Sequence, residues 1–109
     1  MKVYTKSDDE SGYVVAAPGI SRKTLVHGDH TMMTRFLLKK GALIPRHCHA
    51  EEQTGCLLSG HMVLTVGNDV YEIRPGDSWT IPGNVEHQAK IVEDSVALEV
   101  FSPPRDDYR

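Results

Sequence analysis

Four residues in this chain have side chains and spacing suited to one piece of chemistry: His47, His49, Gln53 and His87. Imidazole nitrogen with an amide oxygen is a donor set for a divalent transition ion, and these donors accept Ni, Mn, Fe, Co or Zn alike. His47 and His49 lie in the run Gly41-Ala-Leu-Ile-Pro-Arg-His47-Cys-His49-Ala-Glu-Glu-Gln53, which closes on Gly60. His87 ends a second run, Gly76-Asp-Ser-Trp-Thr-Ile-Pro82-Gly-Asn84-Val-Glu-His87. A lone His-x-His is weak evidence, because histidine also occupies surfaces and satisfied core positions. Two such runs, each framed by turn residues, define a candidate metal centre.

The elements that must carry these donors read as strands. Short apolar runs rich in β-branched residues recur about every 8–12 residues between Gly, Pro, Asn and Asp, the pattern of an all-β sandwich or barrel. Strands are expected near Tyr13–Ala17, Lys23–His27, Met32–Lys39, Leu43–His49, Gly55–Leu58, His61–Val66, Val70–Ile73, Ser78–Ile81, His87–Val92 and Ser95–Phe101. Gly67-Asn68-Asp69 predicts a hairpin turn, and Pro75-Gly76-Asp77 and Pro82-Gly83-Asn84 two further turns. No helical period is sustained, so any helix is a short terminal turn. Successive strand residues point to opposite faces, so His47 and His49 share a side and Cys48 faces away, where a buried thiol is expected. Ala97, Glu99 and Phe101 share one face of the last strand. A carboxylate there is costly to bury without a partner, which marks Glu99 for a site rather than the core.

With 109 residues the chain is one domain with a real core. The core is expected over about 19–102, with an N-terminal arm, 1–18, and a C-terminal tail, 103–109; residues 1–12 and 103–109 are polar and expected to be loosely held unless a partner covers them. A net charge of −3 and the lack of a basic stripe argue against nucleic acid as a partner. No segment has the length of a membrane span, and the first ten residues lack the apolar stretch of a signal peptide. Cys48 and Cys56 form neither a disulfide framework nor a CxxC motif, so a reduced, cytoplasmic location is the simplest reading.

Together the two framed runs resemble the cupin superfamily. Its first motif places two histidines, one residue apart, and an acidic residue between two glycines; its second places a proline and a histidine after a glycine. Gly41, His47, His49 and Gly60 fit the first, and Gly76, Pro82 and His87 the second. The resemblance spans about Gly19 to Arg105. It implies a double-stranded β-helix, or jelly-roll barrel, with the metal inside. Small cupins of this kind usually pair, which implies a homodimer that protects sheet edges.

Three positions depart from the motifs. Gln53 stands at the glutamate position, Asn84 at a glycine and Ile91 at the final asparagine. Asparagine tolerates the left-handed backbone that a turn glycine would supply. Gln53 has the larger consequence: three histidines and one glutamine are neutral, so the ion keeps its full charge, binds less tightly and is the stronger Lewis acid. Glu51 and Glu52 are alternative oxygen donors, but only Gln53 has the motif's spacing.

The tail Leu98-Glu99-Val100-Phe101-Ser102-Pro103-Pro104-Arg105-Asp106-Asp107-Tyr108 is similar to that of KdgF-type cupins, a family named for pectin degradation that also carries the glutamine. This resemblance implies an enzyme that opens and ketonises 4,5-unsaturated monouronates, small anionic sugar acids. It places Glu99 at the acid/base position, where the family has Asp. Phe101 is implied against the sugar and Arg105 on its carboxylate. Against these roles stand plainer ones. Phe101 could be core, Arg105 could pin the tail through Asp106 or Asp107, and Glu99 could serve only as a partner for Arg105. Trp79 is expected in the core or a subunit contact, His61 at the surface or behind the ligands, and His27 and His30 in a solvated turn. Two other functions fit the donors: a cupin-type Fe or Mn oxygenase, and a non-catalytic metal-dependent sugar-acid binding module.

Overall fold

Turn residues cut the chain into eight strands, and a computed structural model describes all of it, Met1–Arg109. The strands are β1 (Val14–Ala17), β2 (Ile20–His27), β3 (Met32–Leu38), β4 (Leu43–His47), β5 (Glu52–Val66), β6 (Asp69–Ile73), β7 (Ser78–Ile81) and β8 (His87–Ser102), followed by one 3-10 turn at Asp106–Tyr108. All pairings are antiparallel. No helix is long and apolar enough to cross a membrane.

Two long strands organise the barrel. The first half of β5 and the second half of β8 pair with each other and take β7 and β3 as outer neighbours. Their other halves also pair, with β6 and β4 outside. Each long strand therefore passes from one sheet to the other, as a jelly roll requires. The sequence signals led to four shorter strands here, Gly55–Leu58, His61–Val66, His87–Val92 and Ser95–Phe101. The pairing runs through those breaks, which are corners marked by register shifts between Leu57 and Met62. Gly60 turns the corner at φ +96°, and Ser95 Oγ and Asp94 O fill the space its Cβ would need.

Side chains from both sheets meet between them. Leu57, Met62, Leu64, Ile81, Ala89, Ile91 and Ala97 belong to one buried cluster. Burying the leucine, isoleucine and methionine side chains stabilises the barrel by roughly 1.5–3 kcal/mol each, which fixes the walls of the cavity they surround.

Both termini are better anchored than their polarity led us to expect. Lys2 bridges to His27, Thr5 donates to the Leu25 carbonyl, and the buried Lys23 ammonium bonds Asp9 O. At the other end, Thr24 donates to the Tyr108 carbonyl and Arg22 to Asp107 O at 3.2 Å. Local composition does not reveal these bonds, because their partners come from β2.

Candidate metal centre

The three histidines converge from two directions. His47 ends β4 and pairs with His87, which opens β8; His49 lies just past the strand. Their ring centroids are 4.3 Å apart for His47–His87, 5.1 Å for His49–His87 and 5.7 Å for His47–His49. One ligand nitrogen from each lies within 4.8 Å of the others. Two local contacts hold the loops together. Asn84 N–H donates to His49 O at 2.7 Å, and Gly83 packs against Ala50 O where a Cβ would not fit. Asn84 adopts φ +65°, the left-handed backbone expected of it. Because regular strand geometry stops at His47, Cys48 is exposed, and the expected buried thiol is corrected.

Each imidazole is locked in one tautomer. Nδ1 of His47, His49 and His87 sits 2.8–2.9 Å from a backbone carbonyl, of Pro45, Glu51 and Val85 in turn. A carbonyl only accepts, so each Nδ1 carries a proton and Nε2 is the atom each ring has left to turn to the site. Burial holds the His87 pKa below its usual value, with Val85 O opposing and the neighbouring His47, His49 and Arg105 reinforcing the shift.

Gln53 completes the set. Its Nε2 donates to Glu99 Oε2 at 3.1 Å, which turns Oε1 toward His49 Nε2 at 2.7 Å. A protonated ring would donate to that oxygen, and with Nε2 unprotonated the same two atoms face one point from which both can bind a cation. The donor set therefore fits a divalent ion held by His47, His49, Gln53 and His87.

Behind Gln53 the site continues into the barrel. Glu99 is 7% exposed, and burial pushes its carboxyl from 4.5 up to about 8, against the pull of hydrogen bonds from Gln53 and Trp79. Its second oxygen accepts Trp79 Nε1–H at 3.1 Å. The expected alternative partner, Arg105, is not bonded to Glu99. Arg105 instead forks onto Asp107, Nε–Oδ1 3.2 Å and Nη2–Oδ2 3.0 Å, as the tail-pinning reading had it. For Asp107, burial raises the pKa, but the Arg105 bonds and charge outweigh it and hold the group below its usual value. Phe101 is 1% exposed yet lines the cavity, with its ring 5.9 Å from His49.

One cavity gathers His47, Gln53, His87, Glu99, Phe101 and Arg105. Sequence reasoning missed Tyr108, which lines it as well, and it assigned Trp79 to packing alone. A usable signal existed for Trp79: Gly55 interrupts an otherwise side-chain-bearing strand two residues after Gln53, and such a glycine marks a close approach. His61 stands apart, paired with Glu72 on β6.

Residues 34–102 match the model of the cupin domain. The chain belongs to the cupin family. The match contains all four candidate ligands, Glu99 and Phe101, and ends before Arg105. This cupin is 28% identical over 103 residues to the pectin degradation protein KdgF of Dickeya dadantii (strain 3937), covering 93% of this chain and 94% of that one. The solved structure of KdgF from Halomonas sp. superposes with a TM-score of 0.90 at 27% identity, over 100% of this chain and 99% of that one. An RmlC-like cupin from Shewanella frigidimarina superposes at 0.93, over 100% and 97%; at 22% identity it speaks for the fold alone.

Proposed function

We propose that this cupin is an enzyme that opens and ketonises a 4,5-unsaturated monouronate. The observation that carries the reading is the composition of the cavity: Glu99 is its one carboxyl, Arg105 its one guanidinium, and no carboxylate stands among the candidate ligands beside them. A wall of that kind suits an anionic sugar acid that must exchange a proton away from bulk water. The full-length similarity to KdgF proteins supports the same substrate class.

The reaction conserves atoms. Water takes the proton of the anomeric hydroxyl, C1 becomes an aldehyde as the bond to the ring oxygen breaks, and that oxygen becomes an enolate at C5. A proton added at C4 leaves a ketone at C5. Glu99 delivers that proton in this reading, and hydrogen bonds from Gln53 and Trp79 to its carboxyl support the role. Arg105, oriented by Asp107, receives the substrate carboxylate on its planar guanidinium. Phe101 supplies an apolar face. A divalent ion on His47, His49, Gln53 and His87 would supply Lewis acidity, stabilising negative charge on oxygen.

The test is loss of the conjugated-alkene absorbance of an unsaturated monouronate, with the protein's metal content measured in parallel. Acceleration over the spontaneous reaction supports the reading, and its absence in metal-loaded protein overturns it. Light scattering tests the homodimer that the resemblance implies; the uncovered β1 edge, with Val14 and Val15 exposed, supports it.

A further inference from the structure

Trp79, Gly55 and Glu99 form one row across three strands. Gly55 on β5 is the register partner of Trp79 on β7 and of Glu99 on β8. The central position has no side chain, so the indole lies across it and its Nε1–H reaches Glu99 Oε1 at 3.1 Å. A Cβ on Gly55 would stand 2.6 Å from Glu99 Oε2 and 2.7 Å from Trp79 Cε2. Real Cβ atoms do not come that close, and the carboxyl it would strike is buried and held by two hydrogen bonds. The gap at Gly55 is therefore the condition for the contact between indole and carboxyl.

The geometry has a second consequence. Gln53 Nε2 holds Oε2 of the same carboxyl at 3.1 Å, so two N–H donors grip its two oxygens from different strands. Gln53 alone would leave the carboxyl free to rotate about its last torsion, and the indole fixes that rotation.

We propose that Trp79 is a positioning residue for the reaction, holding the Glu99 carboxyl in the plane that faces the cavity, and that Gly55 is kept bare to admit the indole. This rests on the reading of Glu99 as the proton-delivering acid. Trp79 touches no reacting atom; it acts through Glu99. One fixed hydrogen bond of this kind corresponds to about tenfold in rate.

The test compares metal-loaded Trp79→Phe, Gly55→Ala and Glu99→Gln with the wild type. Trp79→Phe keeps an aromatic ring and removes only the N–H donor and some area. It should lower kcat about tenfold with KM and metal content unchanged, a split that mere loosening of the fold does not produce. Gly55→Ala should lower kcat at least as far, and the two losses should not add in the double variant. Trp79 is the only tryptophan, so its fluorescence gives a readout independent of turnover. Glu99→Leu, which offers no acceptor, should shift the emission. Wild-type kcat in Trp79→Phe, with Glu99→Gln impaired, overturns the positioning role and leaves the proposed function standing. An emission spectrum unchanged by Glu99→Leu overturns it as well. Wild-type turnover in Glu99→Gln instead removes the acid on which both readings rest.

Discussion

Gln53 Oε1 stands 2.7 Å from His49 Nε2, because the other end of the same amide is committed to Glu99. A single side chain thus joins the candidate metal centre to the candidate acid. A carboxylate at position 53 could do the first task and not the second, since it has no N–H to give.

Gln53→Glu separates those tasks. The variant should hold a divalent ion about tenfold more tightly, because an anionic ligand now faces the cation. It should turn over more slowly, because the ion is less electrophilic and Glu99 has lost a donor. After chelation the variant should be less stable than chelated wild type by roughly 1–3 kcal/mol, the cost of setting two buried carboxyls against each other. Competition with a coloured chelator and thermal melts check both statements. Unchanged metal retention would remove position 53 from the ligand set.

His87 contributes one of the three Nε2 atoms and is 4% exposed. A divalent ion at a concentration of about 100 times its Kd should stabilise the wild type by about 2.7 kcal/mol. His87→Ala should show no such rise in melting temperature and should lose its bound metal on desalting. Its strand pairing in β8 is backbone-made, so circular dichroism should stay that of a β protein.

Stability of the metal-free protein should depend on pH through Glu99. Its folded pKa is raised to about 8 from 4.5, so between those values the folded state holds a proton that the unfolded state has released. This contribution is full below about pH 4.5 and is lost as pH rises to about 8, at up to about 1.4 kcal/mol per pH unit. His87 works in the opposite sense. Its lowered pKa means that stability is lost as pH falls below the ordinary histidine value of 6.5. Urea midpoints of chelated wild type and Glu99→Gln at pH 5, 6.5 and 8 cancel the histidine contribution. The difference between them should shrink or change sign as pH rises, and a constant difference would contradict the assignment.

The metal centre was legible because its information is local. His47 and His49 are adjacent along the chain, Gly67-Asn68 closes the hairpin between β5 and β6, and Asn84 announces a left-handed turn. What escaped depends on which strands become neighbours. Trp79 meets Glu99 only because β7 and β8 flank β5 at Gly55, and no spacing along the chain encodes that. Cys48 departs from expectation because the strand ends at His47, two residues earlier than the apolar pattern suggests. Arg105 was right in type and open in partner, since three acids lay within reach and only the folded tail selects Asp107.

Arg105 offers a direct test of substrate charge. Arg105→Ala should raise KM for the uronate by one to two orders of magnitude, as expected for a charge-assisted pair worth about 1.5–3 kcal/mol. Arg105→Lys should recover little of it, because a point charge cannot reproduce the planar fork or its stacking 4.0 Å over the Tyr108 ring. Steady-state kinetics at fixed metal occupancy give the answer. A change confined to kcat would move Arg105 from binding to the chemical step.

Tyr108 lines the cavity beside Arg105 and Phe101. Its ring lies 4.0 Å from the guanidinium carbons of both Arg22 and Arg105 and meets Phe101 edge-on at 5.3 Å. Each cation–π contact contributes about 0.5–2 kcal/mol, and together they hold a segment that would otherwise be solvated tail. Tyr108→Ala should release it, raising KM several-fold through the loss of Arg105 orientation while the melting temperature changes little, since the barrel core lies elsewhere. Limited proteolysis should then cut after Arg105 faster than in the wild type. Tyr108→Phe keeps the ring and should restore both behaviours; if it fails to do so, the phenol hydroxyl rather than the stacked ring is what the site uses.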